Sequence, residues 1–245
     1  MESPRLVPLL RSWVFPAFVV LVLAGTAPSE ESLDHILRTV LDQAAQKEVP
    51  FRDVVRIATG RRILPLHPAV EPDRAILDVV TSAIGEAVAR LNQPDSPVRN
   101  ETRINEVSVH FERALLEIID RHPEFTCVRP ATSSGATQAS GYPDLLIRHI
   151  PSGRVAYLDP KLIQSGSLES SLRTFYYTPR LATNKVLHDA HHLLAGIEHD
   201  GRVGAWTFTG WKLVDLCDFR VRLKAEYQGN NRDLYREELI LRSSK

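Results

Sequence analysis

A chain of 245 residues, 43% of them hydrophobic, is long enough to bury one substantial core with a small additional layer. Its 30 basic and 30 acidic residues cancel, which argues against a protein that coats nucleic acid through bulk charge while leaving room for a local basic groove. The two cysteines, Cys127 and Cys217, lie far apart without CxxC spacing; they do not make a zinc site by themselves, and two separate buried thiols is the simplest reading.

Arg5 and Arg11 precede an apolar run from Trp13 to Ala24, followed by Gly25-Thr26-Ala27. A basic start, a short apolar stretch and small residues are the parts of a secretory signal peptide. The run is shorter than the roughly 20 residues of a membrane span, and Pro28 is a poor residue directly after a cut. Residues 1–27 are therefore expected to be a signal peptide, with an uncleaved anchor as the competing reading. A real signal implies a periplasmic or secreted protein; otherwise the chain is expected in the cytoplasm.

Beyond it the pattern is helical. Ser29 to Ser32 offer capping chemistry, and Leu33, Ile36, Leu37, Val40, Leu41 and Ala44 recur at helical spacing. Residues 49–71, with prolines at 50, 65 and 68, read as a connection. A second helix carries Ile76, Leu77, Val80, Ile84, Val88 and Leu91, and Pro94-Asp95-Ser96-Pro97 ends it. Residues 28–97 thus form a helical extension, and 98–245 the main domain. A third helix over 101–122 has Ile104, Val107, Phe111, Leu115 and Ile118 on one side, with Glu106 on the flank of that stripe; Pro123 stops it.

Strands follow. Residues 125–129 are one candidate, 131–141 a Gly/Ser/Thr-rich loop, and 145–150 and 154–158 two apolar strands joined by Pro151-Ser152-Gly153. Apolar residues on both faces of the last two suit the centre of a sheet covered on both sides. A two-residue Ser152-Gly153 turn would set Asp144 opposite Lys161 and Leu146 opposite Asp159. Side chains alternate along a strand, so Asp144, Asp159 and Lys161 would then share one face. Two carboxylates there suit Mg²⁺, with Mn²⁺ as a substitute, and Lys161 could orient an attacking water or stabilise charge on a phosphate. A buried Asp–Lys pair that merely closes a sheet end is the alternative.

Gly141-Tyr142-Pro143-Asp144, followed after an interval by Asp159-Pro160-Lys161, resembles the PD-(D/E)xK nuclease superfamily, the restriction-endonuclease-like fold. The resemblance covers residues 101–199, read as a helix, three strands, a helix and a further strand. It implies an α/β fold with a mixed central sheet flanked by helices, and metal-dependent hydrolysis of DNA. It implies Asp144, Asp159 and Lys161 as catalytic residues, with Asp144, Asp159 and the Pro160 carbonyl on the metal. Glu106 is the matching helix glutamate, although Glu101, Glu112 and Glu117 lie on the same helix. Pro160 departs from regular strand chemistry because it lacks an N–H. A catalytically inactive nucleic-acid-binding relative and a homodimer are both compatible with the resemblance.

Residues 171–178 (SLRTFYYT) are basic and aromatic, suited to stacking or backbone contact. Arg173, Lys185, Thr137 and Gln138 are the expected substrate contacts. His188, Asp189, His191 and His192 offer a rival zinc-dependent hydrolase, though without HExxH spacing. Residues 193–198 read as a fourth strand, with an Asp200-Gly201 turn into 203–209. Further strand-like segments cover 213–216 and 219–227, and a helical tail covers 234–241.

Overall fold

The computed structural model describes residues 34, 35, 38, 48–138, 140–170, 175–179, 181–223 and 229–242. The expected signal peptide, most of the helix over 33–44, Arg173 and residues 224–227 of the strand expected over 219–227 lie outside these residues. Asp34, His35 and Arg38 are helical, and Arg38 Nε donates to Asp34 Oδ2 across one turn (2.8 Å). Residues 43–245 form one compact unit and 1–42 another.

The connection expected over 49–71 holds structure instead. A short strand β1 (Glu48–Pro50) runs into helix α1 (Phe51–Thr59), which Gly60 ends in the left-handed conformation (φ 71°). Pro50 fits here because it stands at the helix N-cap, where no N–H is needed. The prolines at 65 and 68 do fall in the link to α2 (Glu71–Leu91). In α2, Ile76, Val80, Ala83, Ile84, Ala87 and Leu91 are buried at helical spacing. Glu71 and Asp73 lie in its first turn and Arg90 in its last, each on the favourable end of the helix dipole. Helix α3 (Ile104–Asp120) buries Val107, Phe111, Ala114, Leu115 and Ile119.

The central sheet has the order β2 (Phe125–Val128), β3 (Leu145–His149), β4 (Val155–Gln164), β5 (His191–His199) and β6 (Phe208–Asp215). Only β4 and β5 are parallel, so the sheet is mixed. α2 and α3 cover one face, where Leu145, Ile147, Ala156, Leu158, Ala195 and Ile197 join them in a single core. Phe111 meets Phe208 edge to face at 4.6 Å between ring centres. The architecture is the restriction-endonuclease-like mixed sheet flanked by helices that the sequence led one to expect.

The opposite face is covered differently. α1 and part of the β4–β5 connection pack there, with Phe51, Val55, Val155, Tyr157, Val186 and Ala190 buried. Phe51 has edge-to-face contacts with Tyr142, Phe175, Tyr177 and Phe219. A two-stranded pair of β1 and β7 (Arg220–Arg222) ties this layer down. The helix expected between β4 and β5 is replaced, among the described residues, by irregular chain with one 3-10 turn at Leu181–Thr183. Aromatic side chains there supply the apolar cover that a helix would otherwise provide. β6 begins only at Phe208, because residues 200–207 are a longer connection than the expected Asp200-Gly201 turn, and the tail is two short turns, α4 (Asn231–Leu234) and Glu237–Leu239.

Candidate active site

The β3–β4 register decides which side chains meet. Leu145 pairs with Leu158, Leu146 with Tyr157 and Ile147 with Ala156. His149 N–H donates to Arg154 O (2.9 Å), and Gly153 (φ 69°) donates to His149 O (2.8 Å). The turn is therefore Ile150–Gly153, four residues rather than the expected two. Pro151 is the physical reason: the shorter turn would have put a residue without an N–H into the ladder. The pairing is shifted by two residues, and a shift of two keeps every side chain on its face. Continued by one step, it sets Asp144 level with Asp159, and Lys161 follows two residues on along the same face.

The three groups do converge. Lys161 Nζ lies 2.5 Å from Asp159 Oδ2 and 3.8 Å from Asp144 Oδ2. The Asp159 side chain is 2% exposed and that of Asp144 14%. Burial, and then the neighbouring Asp159, push the Asp144 carboxyl up to about 8. Burial works against the charge on Lys161, but Asp159, Asp144 and Glu112 together outweigh it and hold its ammonium above the usual range. Lys185 is a second cation near these acids, and Arg129 a third beside Glu112.

Pro160 sits within regular pairing, in register with Ala195 of β5. The His149–Arg154 bond fixes the alternation, so residues 154, 156, 158 and 160 turn their backbone groups toward β3. Opposite position 160 the register reaches Pro143, just beyond the end of β3. The missing N–H therefore costs no ladder bond, and the Pro160 carbonyl faces the Asp144 side.

Glu106 is not brought to this cluster. It is exposed in the first turn of α3, beside Glu101, whose carboxylate lies 2.9 Å from His110 Nε2. The glutamate of α3 that does feel the cluster is Glu112, 16% exposed and 3.3 Å from Arg129 Nη2. Burial raises its carboxyl, while Arg129 and Lys161 act in the opposite sense. Its signal in the sequence was a glutamate directly beside the core residue Phe111, a position that burial makes costly without a cation nearby.

Lys185, expected on the substrate, is 2% exposed and donates to the carbonyls of Gly141 (2.8 Å) and Pro143 (3.3 Å). Thr137 is exposed and bridges Ala131; Gln138 Nε2 donates to Ser140. The histidines do not form one site. His191 faces Asp73 at 3.3 Å and Leu64 O at 3.1 Å. His192 is on the other face, 2.7 Å from the Tyr142 hydroxyl, and burial lowers it to about 3, so it stays neutral. Asp189 is held by Arg62. Among the described residues no three His, Cys, Asp or Glu side chains form a ready metal cage; the zinc reading over 188–192 loses its geometric basis.

The profile described as "Type II restriction enzyme MjaV family" matches residues 42–238. The chain belongs to this family. It is 26% identical over 221 residues to the protein named "Type II restriction enzyme MjaV" of Methanocaldococcus jannaschii, covering 86% of this chain and 94% of that one. Both the Asp144–Lys161 cluster and α1 fall inside the matched region. Membership in a restriction-enzyme family implies cleavage of DNA.

Proposed function

We propose that the chain is an endonuclease of the PD-(D/E)xK type, hydrolysing DNA phosphodiester bonds with Mg²⁺, or Mn²⁺ in its place. The observation that carries this reading is Asp144 level with Asp159 on one face of the sheet, two buried carboxylates side by side with Lys161 between them. Asp159 Oδ2 is buried, with the Lys161 ammonium and the Asp144 carboxyl beside it. Such a pair fits a hard divalent cation, which takes one or two carboxylates and keeps several waters. Asp144, Asp159 and the Pro160 carbonyl are the groups that would hold it. When bound, the ion supplies Lewis-acid polarisation of the phosphoryl group and a more acidic water.

The chain's own residues supply the rest. Lys161 keeps its proton because three acids surround it, so it acts as a fixed cation toward the pentavalent phosphate oxygens and not as a base. Glu112 adds negative charge from α3 without closing a third side of the site. Thr137 and Gln138, on the exposed loop before Asp144, are placed among the substrate contacts of this reading. Incubation of the purified chain with supercoiled and linear DNA in Mg²⁺, Mn²⁺ or EDTA tests it. Discrete fragments in either metal and none in EDTA are expected; intact DNA in all three, or cleavage in EDTA, defeats it.

A further inference from the structure

The loop over residues 131–143 is fastened near both ends to one dipeptide, Asn184-Lys185. At the near end Ser133 N–H donates to Asn184 O (2.7 Å). At the far end the Lys185 ammonium grips the Gly141 and Pro143 carbonyls, the two that flank Tyr142 and lead into Asp144. Asn184 is itself fixed by reciprocal bonds to Val186, Nδ2 to O and N to Oδ1, both 3.0 Å. Val186 is fully buried in the aromatic layer. Between the two gripped carbonyls, Tyr142 is pegged to His192 and stacked against it.

An ammonium that is 2% exposed is not available to a phosphate, and burying it on neutral carbonyls is costly. Methionine or leucine would fill the space without that cost. We propose that Lys185 is a positioning residue: it holds backbone 141–143 so that Asp144 stays level with Asp159, and it links loop 131–140 to that carboxylate. DNA that displaces the exposed part of the loop would then be felt at Asp144 through one rigid dipeptide. The inference rests on the metal-site reading given above.

The sign of one effect separates this role from its rivals. Lys185 is a cation near Asp144, Asp159 and Glu112; if it were only a charged neighbour, removing it would reduce repulsion and lower the Mg²⁺ needed for cleavage. If it touched DNA, removing it would weaken binding and flatten the salt dependence by about 0.9 in log–log slope. As a clamp, Lys185→Met raises the half-saturating Mg²⁺ for cleavage at least about tenfold, while DNA affinity without divalent metal stays within about twofold. A purely structural lysine would reduce the active fraction but leave the midpoint of the remaining molecules unchanged.

The test measures Mg²⁺ titrations of cleavage and metal-free DNA binding for the parent, Lys185→Met and Lys185→Gln, with melting curves for each. Gln keeps a donor and should recover part of the midpoint shift. Should both variants fail to fold, amide exchange of the parent decides: Mg²⁺ should slow exchange of Ser133 as well as of Gly141, Tyr142 and Asp144. A midpoint unchanged or lowered in either folded variant, a tenfold loss of DNA affinity, or exchange at Ser133 indifferent to Mg²⁺ overturns the proposal. A parent that neither cleaves nor responds to Mg²⁺ overturns the metal-site reading itself, and this inference with it.

Discussion

Asp73 and Asp159 are each about 1% exposed, and each has a cationic or titratable side chain beside it, yet their surroundings differ. Asp73, in the first turn of α2, accepts from His67 N–H (2.9 Å) and has His191 Nε2 at 3.3 Å and Arg154 Nε at 3.7 Å. It is one acid served by a helix start, an imidazole and a guanidinium. Asp159 has a second carboxylate level with it, a third in reach on α3, and Lys161 in contact with both aspartates. The first arrangement fastens α2 to β5, although Asp73 Oδ1 and His191 Nε2 are buried there without a hydrogen bond. The second sets two buried carboxylates side by side, the arrangement proposed above to take a divalent cation. Burial of a charge therefore does not by itself separate the two places; the pairing of carboxylates does.

That contrast is open to attack by substitution. Asp159→Ala or Lys161→Ala should lower cleavage by about 10³-fold or more, the scale of losing a group aimed at developing charge. Both proteins should still melt cooperatively, and retention of a tenth of parental cleavage by either would remove it from the catalytic set. Asp73→Ala should do the opposite, costing roughly 3–5 kcal/mol of stability by stranding its neighbours, with cleavage per folded molecule within about twofold. Urea unfolding paired with an active-site count measures both.

Smaller effects refine the boundary of the paired-carboxylate site. Glu112→Gln should reduce cleavage roughly tenfold, about 1.4 kcal/mol of barrier, while Glu106→Gln leaves the rate at the parental value. Equal effects would mean that α3 contributes charge without regard to position. The pH dependence of metal-free stability is a further check. The Asp144 carboxyl, ordinarily near 3.8, is raised to about 8 in the folded protein, so the folded state holds that proton more tightly than the unfolded chain. The stabilisation this provides is present below about pH 4 and fades as pH climbs to about 8. Relative to Asp144→Asn, the parent should therefore lose several degrees of melting temperature between pH 5 and pH 9, where each kcal/mol is worth about 2–4 °C. Saturating Mg²⁺ should reverse that loss in the parent alone. A difference that stays flat across this range would show that Asp144 and Asp159 do not compete for charge.

The helices on the apolar face were legible because Ile76 to Leu91 and Val107 to Ile119 repeat at helical spacing over many turns. α1 was not, because prolines on either side of residues 51–59 suggested a connection, whereas Pro50 serves as its N-cap. The triplet Asp144, Asp159 and Lys161 survived an incorrect hairpin turn for a simple reason: the error was an even number of residues, and strand faces repeat every two. Glu112 was harder to choose over Glu106, since helix spacing alone places several glutamates near one stripe and only tertiary packing selects the one facing β4. Lys185 was misread as a surface contact because nothing local predicts that a lysine will spend its ammonium on two carbonyls more than forty residues away in sequence.

The central claim, that Asp144 and Asp159 share a divalent cation, is tested most directly by anomalous diffraction from a crystal soaked in Mn²⁺. One strong peak within about 2.0–2.4 Å of carboxylate oxygens of both residues, absent from Asp159→Ala crystals, is the predicted result. A peak at His188, His191 or His192 with none at Asp144 would contradict it.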